Sequence, residues 1–508
     1  MKTFFSNTLR AFVLAAGFLL GGCEADFEDL NVDPNNPSSP NMPAVLTGAI
    51  RGWGGTPTAA LPVLYTQQMS EVQYTTESRY NTIPQDFNGF YTGPLTSLQF
   101  IINQNTDPET KSTATVLAGG GNNNQLAVAR IQKAYLFSII TDRWGNVPYS
   151  DALKGRENFK PKYDAQKDIY YDLFKELKEA VAQFDGGAAV QGDILFGGNA
   201  ARWKQFANSL RLILALRLSK VDPTKGKAEF VEALNAGVIN SNTANILYPY
   251  LSDANYENAW NSRFDTRIDY AISNTLGDFL IETKDPRLTV FANLPSGAST
   301  YITMPYGVDS PSAVTARLSL PGYAIRNQAS PAFLITYAQM LFSQAEAVKL
   351  GWITGDAKKL YEDGIKASWE QWSAQIPLIQ KPDNATALDL EVANKSKASA
   401  TEAFANTTMA SYLAQPKVKW DEAKALELIG TQKWIALYTQ GYESWSEWRR
   451  TGYPALKPAP AAMNTSGQIP RRQGYPLSEQ TINTDNYKAA VAAQGPDDLD
   501  TRVWWDKK

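Results

Sequence analysis

Histidine is absent from the 508 residues, and cysteine occurs only once, at position 23. Without histidine, a Ser-His-Asp triad, a Cys-His pair and a zinc site built on H-E-x-x-H are all excluded. A single cysteine excludes disulfide bonds within the chain, so a core of this size must rest on packing alone. Much of the acid–base chemistry that enzymes perform near neutral pH is therefore ruled out.

An excess of charge of either sign is also lacking, since 48 Lys and Arg residues face 51 Asp and Glu residues. Nucleic-acid binding rests on concentrated positive charge, so nucleic acid is not an expected partner. The glycines at 119–121 lack the Lys-Ser/Thr of a phosphate-binding loop, and the aspartates at 497–500 lack calcium-loop spacing. We expect no cofactor, no metal site and no catalytic residues.

The first 23 residues are typical of an export signal that ends at a lipidation site. Lys2 and Arg10 form a short positively charged region. A short apolar run follows Arg10 and ends at Gly21-Gly22-Cys23. That run is shorter than the roughly 20 apolar residues that span a bilayer. Leu20-Gly21-Gly22-Cys23 resembles a lipobox, so residues 1–22 are predicted to be a signal peptide and Cys23 to carry fatty acids such as palmitate. The alternative is a plain secretory signal in which Cys23 has no role.

Residues 23–44 are predicted to form the lipidated N-terminus and a tether, and residues 45–508 a single domain. Acidic side chains follow Cys23 directly, and each of the prolines at 34, 37 and 40 keeps the residue before it out of a helix.

Apolar residues recur at helical spacing through most of the domain. The pattern predicts neighbouring helix pairs, at 126–142 with 165–184, 201–219 with 228–239, and 331–350 with 355–374. A further stripe from Trp434 to Trp448 predicts another helix. Short links make amphipathic helices antiparallel neighbours, so we expect a mainly α fold of tetratricopeptide-like helix pairs, although no clean 34-residue period is present.

Two long stretches, about 45–115 and 243–330, show little helical period and are rich in Gly, Pro, Ser, Thr, Asn and aromatic residues. Loops of that length in a compact protein are functional or disordered, and the aromatic content argues against disorder. We interpret them as long loop insertions in a helical scaffold.

A set of segments carries a resemblance to a known family through its order and spacing along nearly the whole mature chain: Leu30–Pro37, Asp142–Tyr149, Trp203–Arg211, Lys284–Leu288, Ala345–Ala347, Gln440–Pro454 and Arg472–Pro476. Together they resemble the SusD/RagB family of outer-membrane nutrient-binding lipoproteins, and more narrowly its SusD-like subgroup. Gln339 departs from the family pattern, which favours Glu at this position. This departure puts one local contact in doubt.

The resemblance implies four tetratricopeptide-like helix pairs with a loop-rich ligand-binding lobe. It implies a SusC-like, TonB-dependent outer-membrane transporter as partner and oligosaccharides as the usual ligands, with peptides in some branches. The acidic run after Cys23 resembles the signal that sends such lipoproteins to the cell surface. The chain is thus expected at the outer membrane, lipid-anchored and facing the exterior.

Sugar recognition needs flat apolar faces for the ring and amides or carboxylates for the hydroxyl groups, placed on loops that a scaffold supports. Two clusters fit this description. The first consists of Tyr74, Arg79, Tyr80, Asn81, Asp86, Phe87, Asn88, Phe90 and Tyr91. The second consists of Tyr301, Tyr306, Tyr323, Arg326 and Asn327. For any one of these residues, packing within the loop is the competing interpretation.

We assign a structural role to the aromatic residues of 142–149 and expect Arg449 and Arg450 to pair with carboxylates. The function predicted from these observations is non-enzymatic: a surface lipoprotein binds oligosaccharide and delivers it to a SusC-like transporter. A peptide-binding homologue of the same system, a glycoside hydrolase that uses two carboxylates, and a purely structural helical-repeat adaptor are the alternatives.

Overall fold

The computed structural model describes residues 40–81, 84–309, 318–381 and 387–507. The predicted signal peptide, Cys23 and the tether up to residue 39 lie outside the described residues. About 53% of the structure is helical, which confirms the mainly α class. Across the described ranges, no helix combines the length and the apolar character that crossing a membrane requires.

The α-helices are numbered here in chain order: α1 (Met42–Arg51), α2 (Ala60–Tyr65), α3 (Asn88–Phe90), α4 (Thr96–Thr106), α5 (Ala114–Leu117), α6 (Asn122–Trp144), α7 (Gln166–Gln183), α8 (Ala200–Arg217), α9 (Pro223–Ala236), α10 (Ala259–Ser262), α11 (Asn274–Glu282), α12 (Leu288–Phe291), α13 (Tyr337–Lys349), α14 (Ala357–Ser373), α15 (Ala387–Asn406), α16 (Met409–Leu413), α17 (Ala425–Ala436), α18 (Gly441–Thr451), α19 (Leu477–Ile482) and α20 (Thr484–Gln494).

Six short strands form three two-stranded antiparallel sheets: β1 (Met69–Glu71), β2 (Val147–Pro148), β3 (Tyr163–Asp164), β4 (Ile246–Tyr248), β5 (Tyr270–Ile272) and β6 (Ala332–Ile335). Strand β1 pairs with β5 so that Met69 lies opposite Ile272. Strand β2 pairs with β3, and β4 pairs with β6. The β1–β5 and β4–β6 sheets therefore join segments far apart in sequence, whereas the β2–β3 sheet is local.

The predicted helix pairs are present as α6 with α7, α8 with α9, and α13 with α14. Helix α7 shows why the periodicity was informative, because Ile169, Leu173 and Leu177 are all buried on one face. Side-chain caps begin the next two helices: Asn199 accepts from the Arg202 amide, and Asp222 accepts from the Lys225 amide. Gly145 ends α6 with a φ of 82°, a conformation that favours glycine.

Two predicted helix boundaries are wrong. Residues 332–335 form strand β6, which pairs with β4 before α13 begins at Tyr337. The stripe from Trp434 to Trp448 is split between α17 and α18, because the chain turns at Thr439, where φ is 69°. Apolar spacing alone does not distinguish a buried strand or a broken helix from a continuous one.

The loop-rich stretches contain more helix than expected. The 45–115 stretch includes most of α1 and all of α2 to α4, and the 243–330 stretch includes α11. Helix α1 begins at Met42 and buries Met42, Leu46 and Ile50, so the packed body starts before the expected boundary at residue 45. These helices lack a clear apolar stripe in sequence because several are short and buried on more than one side.

A network of buried charges connects four helices. Arg217 of α8 contacts Glu443 at 2.6 Å and also pairs with Glu447, both on α18. Lys433 of α17 lies 2.6 Å from Glu447, and Arg450 lies 2.7 Å from Glu447 and also pairs with Glu346 of α13. The expected carboxylate pairing of Arg450 is therefore confirmed.

Arg449 differs from its neighbour. Its guanidinium donates to the Arg471 carbonyl and the Ser446 hydroxyl, and it lies 3.8 Å from the centre of the Trp445 ring. Burial lowers the pKa of Arg449 to about 9. The expectation that it pairs with a carboxylate is wrong, because aromatic rings and backbone oxygens occupy the positions around it.

Candidate functional site

Two of the predicted ligand-binding tyrosines lie inside the protein. Tyr80 is 1% exposed and Tyr306 is 6% exposed, and both pack in one core cluster with Tyr65 and Trp445. The Tyr80 hydroxyl accepts a hydrogen bond from the Ala459 amide at 2.9 Å. The two predicted clusters do meet here, but as packed core, so neither ring presents a free face to a ligand.

Phe87 and Tyr91, two further residues of the predicted ligand-binding set, pack against other aromatic rings. Phe87 is 2% exposed and packs edge-on against Trp144 at 5.3 Å between ring centres. Tyr91 contacts the Phe87 and Phe137 rings, and its hydroxyl donates to the Pro148 carbonyl. Both rings pack against the C-terminal part of α6, which explains why this segment is aromatic.

The polar members of the first cluster hold the chain in place. Arg79 donates to the Ala461 carbonyl and pairs with Asp309. Asp86 is exposed, and its carboxylate accepts from the Asn88 amide at 2.7 Å, which fixes the turn into α3. Asn81 remains exposed, and its backbone N–H donates to the Thr76 carbonyl.

Tyr74 retains the character expected of a ligand-contacting residue. Its side chain is 63% exposed, and the Arg267 guanidinium lies 5.2 Å from the centre of its ring. This contact is possible because β1 and β5 bring the residues after Glu71 beside those before Tyr270.

The segment 251–270, which contains Arg267, carries further exposed apolar side chains. Leu251, Tyr256 and Ile268 are 44%, 47% and 43% exposed. The Arg51 guanidinium lies 5.0 Å from the centre of the Tyr256 ring. We refer to Tyr74, Tyr256, Arg267 and Ile268 as the aromatic surface.

A polar pocket of about 390 Å³ is built on the same segment. Its walls carry carboxylates, carboxamides and cations: Glu257, Asn261, Asp265, Arg326, Asn327, Gln328, Gln380 and Lys381, with Ser252 and Ala254. Asn261 donates to Glu257 at 2.9 Å. Two residues of the second predicted cluster, Arg326 and Asn327, thus reach a pocket.

Tyr323 and Tyr301 lie behind this pocket or beside it rather than in it. Tyr323 is 4% exposed, and its ring lies 4.5 Å from the Arg326 guanidinium. Tyr301 is half-buried and packs against the hydrophobic cluster that contains Tyr323. The Tyr323 ring therefore packs against Arg326, which also donates to the Pro321 carbonyl.

Ionisable groups with shifted pKa values lie next to the aromatic surface. Burial, with a contribution from nearby Glu77, raises the pKa of Glu71 to about 7, although hydrogen bonds from Ser78 oppose the shift. Burial also raises the pKa of Glu77, while Arg263 lowers it. Burial raises the pKa of Tyr270 to about 12. Such clusters are enriched at functional sites and also occur in structural networks.

Sequence reasoning did not single out Tyr256, Arg267 or the acidic and amide residues between them. The signal was present, because 251–270 is rich in Asn, Asp, Arg and aromatic residues and lies within the 243–330 stretch. What the sequence could not show is the pairing of β5 with β1, which brings this segment to Tyr74.

Comparison with known proteins identifies relatives of the whole chain. Residues 34–476 match the family described as SusD-like, starch-binding associating with outer membrane. Among solved structures, a chitin-binding protein is 27% identical, covers 92% of this chain and 100% of its own, and superposes with a TM-score of 0.74. A SusD-like protein of Bacteroidetes AC2a is 25% identical over 92% of this chain and all of its own, with a TM-score of 0.72.

A SusD homologue from Bacteroides uniformis is 25% identical, covers 91% of this chain and 99% of its own, and has a TM-score of 0.71. No curated protein matches the chain. The likenesses extend over the helix pairs and the lobe together.

Proposed function

This chain belongs to the SusD-like family of proteins associated with the outer membrane, and on that premise we propose that it binds oligosaccharides through the aromatic surface and the polar pocket. The observation that carries the proposal is the exposure of Tyr256, which lies on the segment that lines the polar pocket, and of Tyr74, which contacts Arg267 of the same segment. Exposed aromatic rings at such a site are costly to keep in water unless a ligand covers them.

The two parts of the site match the two sides of a sugar. Aromatic faces pack against the C–H side of a pyranose ring, and Asn, Gln, Asp and Glu side chains bond its hydroxyl groups. The Arg267 guanidinium belongs to the aromatic surface, where it is 56% exposed and lies 2.6 Å from the Asp269 carboxylate. An extended chain of sugars fits such a surface better than a single small metabolite would.

Chitin and starch oligosaccharides are the first ligands to test. A relative of the same length is a chitin-binding protein, and the family is described as starch-binding. The pocket carries both acidic and basic side chains, so a neutral sugar meets no excess of like charge.

We further propose that Cys23 anchors the protein in the outer membrane, on its outer face, and that bound sugar passes to a SusC-like, TonB-dependent transporter. The lipobox-like sequence and the family membership support this arrangement. We expect the protein to deliver the sugar without catalysing a reaction, because the chain contains no histidine and the family description concerns binding.

Isothermal titration calorimetry against chitin, starch and peptide fragments tests the proposal. We expect saturable binding of one oligosaccharide class, and at least a tenfold loss of affinity in Tyr74→Ala and Tyr256→Ala with an unchanged melting temperature. Phe159→Ala is the matched control, because Phe159 is 73% exposed but lies outside the aromatic surface.

Reducing ends are measured in the same samples. Binding of peptides but of no oligosaccharide would indicate that the protein is a peptide-binding member of the family. Steady release of new reducing ends would instead make it a glycoside hydrolase, and equal losses in Phe159→Ala would remove the aromatic surface from the argument.

A further inference from the structure

A second cavity lies inside the protein, among the helix pairs. Its volume is about 70 Å³, and it is lined by α6, α8, β6, the turn at Thr56-Pro57 and the beginning of α18. By volume it has room for on the order of five water molecules. One wall is apolar and includes Leu210, Ile213 and Phe333, and the opposite wall is polar.

The polar wall is the N-terminal end of α18. Gln440, Gly441, Tyr442 and Glu443 all line the cavity. Among the hydrogen bonds of the described residues, none uses the amide N–H groups of Gly441, Tyr442 or Glu443, and no side chain caps the helix. Free N–H groups and the positive end of the helix dipole favour an anion at such a position.

Gln440 is the second observation. Its side chain is 5% exposed, yet both its amide nitrogen and its carbonyl oxygen have no hydrogen-bond partner within the described part of the chain. A buried carboxamide without partners costs about 1–3 kcal/mol, so an occupant that bonds it would be favoured.

Arg143 supplies a positive charge to the same cavity. It is 6% exposed, its Nε donates to Gln473 at 2.6 Å, and its guanidinium lies 4.3 Å from the centre of the Tyr442 ring. Burial lowers the pKa of Arg143, and the only groups that oppose this shift are Tyr442 and Tyr65. No carboxylate of the described residues pairs with it, which is unusual for a buried guanidinium.

The nearby carboxylates already have partners. Glu443 bonds Arg217 and accepts from Gln339, whose position departs from the family pattern. Asp142 accepts from Tyr170 and from the Trp505 indole at 2.8 Å, and it lies 3.6 Å from Arg217. Arg143 therefore remains the unneutralised charge of this region.

We propose that the cavity binds a small oxyanion, such as the carboxylate of an acidic sugar or free phosphate, between Arg143, Gln440 and the first turn of α18. The anion neutralises the buried guanidinium, accepts from the helix N–H groups and from the Gln440 amide, and leaves the sugar-binding surface free. This site does not depend on the proposed function, because none of its residues belongs to the aromatic surface or the polar pocket.

Calorimetry and thermal unfolding with sodium phosphate and sodium glucuronate, at constant ionic strength with chloride as reference, test the site. We expect saturable binding of one of them and a melting temperature that rises with its concentration. Arg143→Gln should weaken binding at least tenfold, whereas Arg156→Gln, which changes an exposed arginine outside the cavity, should leave it unchanged.

Binding of phosphate alone identifies a free ion as the occupant, and binding of glucuronate alone identifies an acidic sugar. If Arg143→Gln does not fold, Gln440→Met decides, because it removes an unpartnered carboxamide and keeps the side-chain length. Reduced anion affinity in Gln440→Met supports the site. Unchanged affinity in these variants, or no saturable binding of either anion, overturns it.

Discussion

Tyr74 and Phe87 belong to one predicted cluster, but their rings have opposite surroundings. Tyr74 is exposed beside Arg267, whereas Phe87 is packed against Trp144. Residue type and loop context predicted ligand contact equally for both residues. An aromatic residue in a Gly- and Asn-rich segment can either contact a ligand or pack in a core. Only the tertiary contacts of α6 separate them, and these are not encoded in the local sequence.

Phe87→Ala should therefore affect stability rather than binding. Removing a buried phenyl ring leaves a cavity against Trp144 and Tyr91, which costs about 3–5 kcal/mol of unfolding free energy. Urea unfolding measures this loss, and oligosaccharide affinity measured below the new midpoint should equal that of the wild type. A loss of affinity without a loss of stability would return Phe87 to the binding site.

Glu71 makes stability depend on pH. Its pKa is raised from 4.5 to about 7 in the folded protein, so between these pH values the folded state holds a proton that the unfolded state releases. The contribution of Glu71 is complete below about pH 4.5 and is lost as pH rises through 7, by at most on the order of 3 kcal/mol.

Glu71→Gln tests this dependence, because the glutamine carbonyl can still accept from the Ser78 amide, which lies 2.8 Å from a Glu71 carboxylate oxygen. Unfolding free energies at pH 5 and pH 8 should differ less in the variant than in the wild type. Equal differences in both proteins would show that Glu71 keeps an ordinary pKa.

At the scale of elements, the helix pairs could be predicted because each carries one apolar face with a regular period. Apolar periodicity gave a wrong prediction for β6, where all side chains of the strand are buried. It was also wrong at Thr439, where the chain turns within an apolar stripe. Sheet pairing could not be predicted either, since β1 and β5 are three residues each and lie far apart in sequence. The aromatic surface depends on that pairing, so its position was beyond local patterns.

The buried charge network ties α8, α13, α17 and α18 together, and Arg450→Met removes its two ion pairs, with Glu346 and with Glu447. The variant leaves Glu346 and Glu447 buried with less compensation, which costs about 3–5 kcal/mol. Lys366→Met, which removes the exposed pair with Glu370, serves as the control and should change the urea midpoint little. Similar midpoints for the two variants would indicate that the network is hydrated rather than buried.

At the scale of the whole molecule, the anchor and the folded body are separate. Cys23 lies outside the described residues, and the packed body begins at α1. Cys23→Ala should move the protein from the membrane fraction to the soluble fraction and abolish labelling by a palmitate analogue. Circular dichroism and oligosaccharide affinity should stay the same, because the core clusters of the described residues form without Cys23. Retention in the membrane fraction would point to attachment by a protein partner.

Two of the small sheets, β1–β5 and β4–β6, also determine when the segments that they join can fold. Met69 reaches its partner Ile272 only after some two hundred further residues have been made, and β4 must wait for β6. Closing such long loops is slow, because their entropy is lost before any contact repays it. The helix pairs, whose contacts are local, can form first. On the proposed export route, where the chain crosses a membrane before it folds, this order is an advantage, because the segments that β1–β5 and β4–β6 join stay unfolded until translocation is nearly finished.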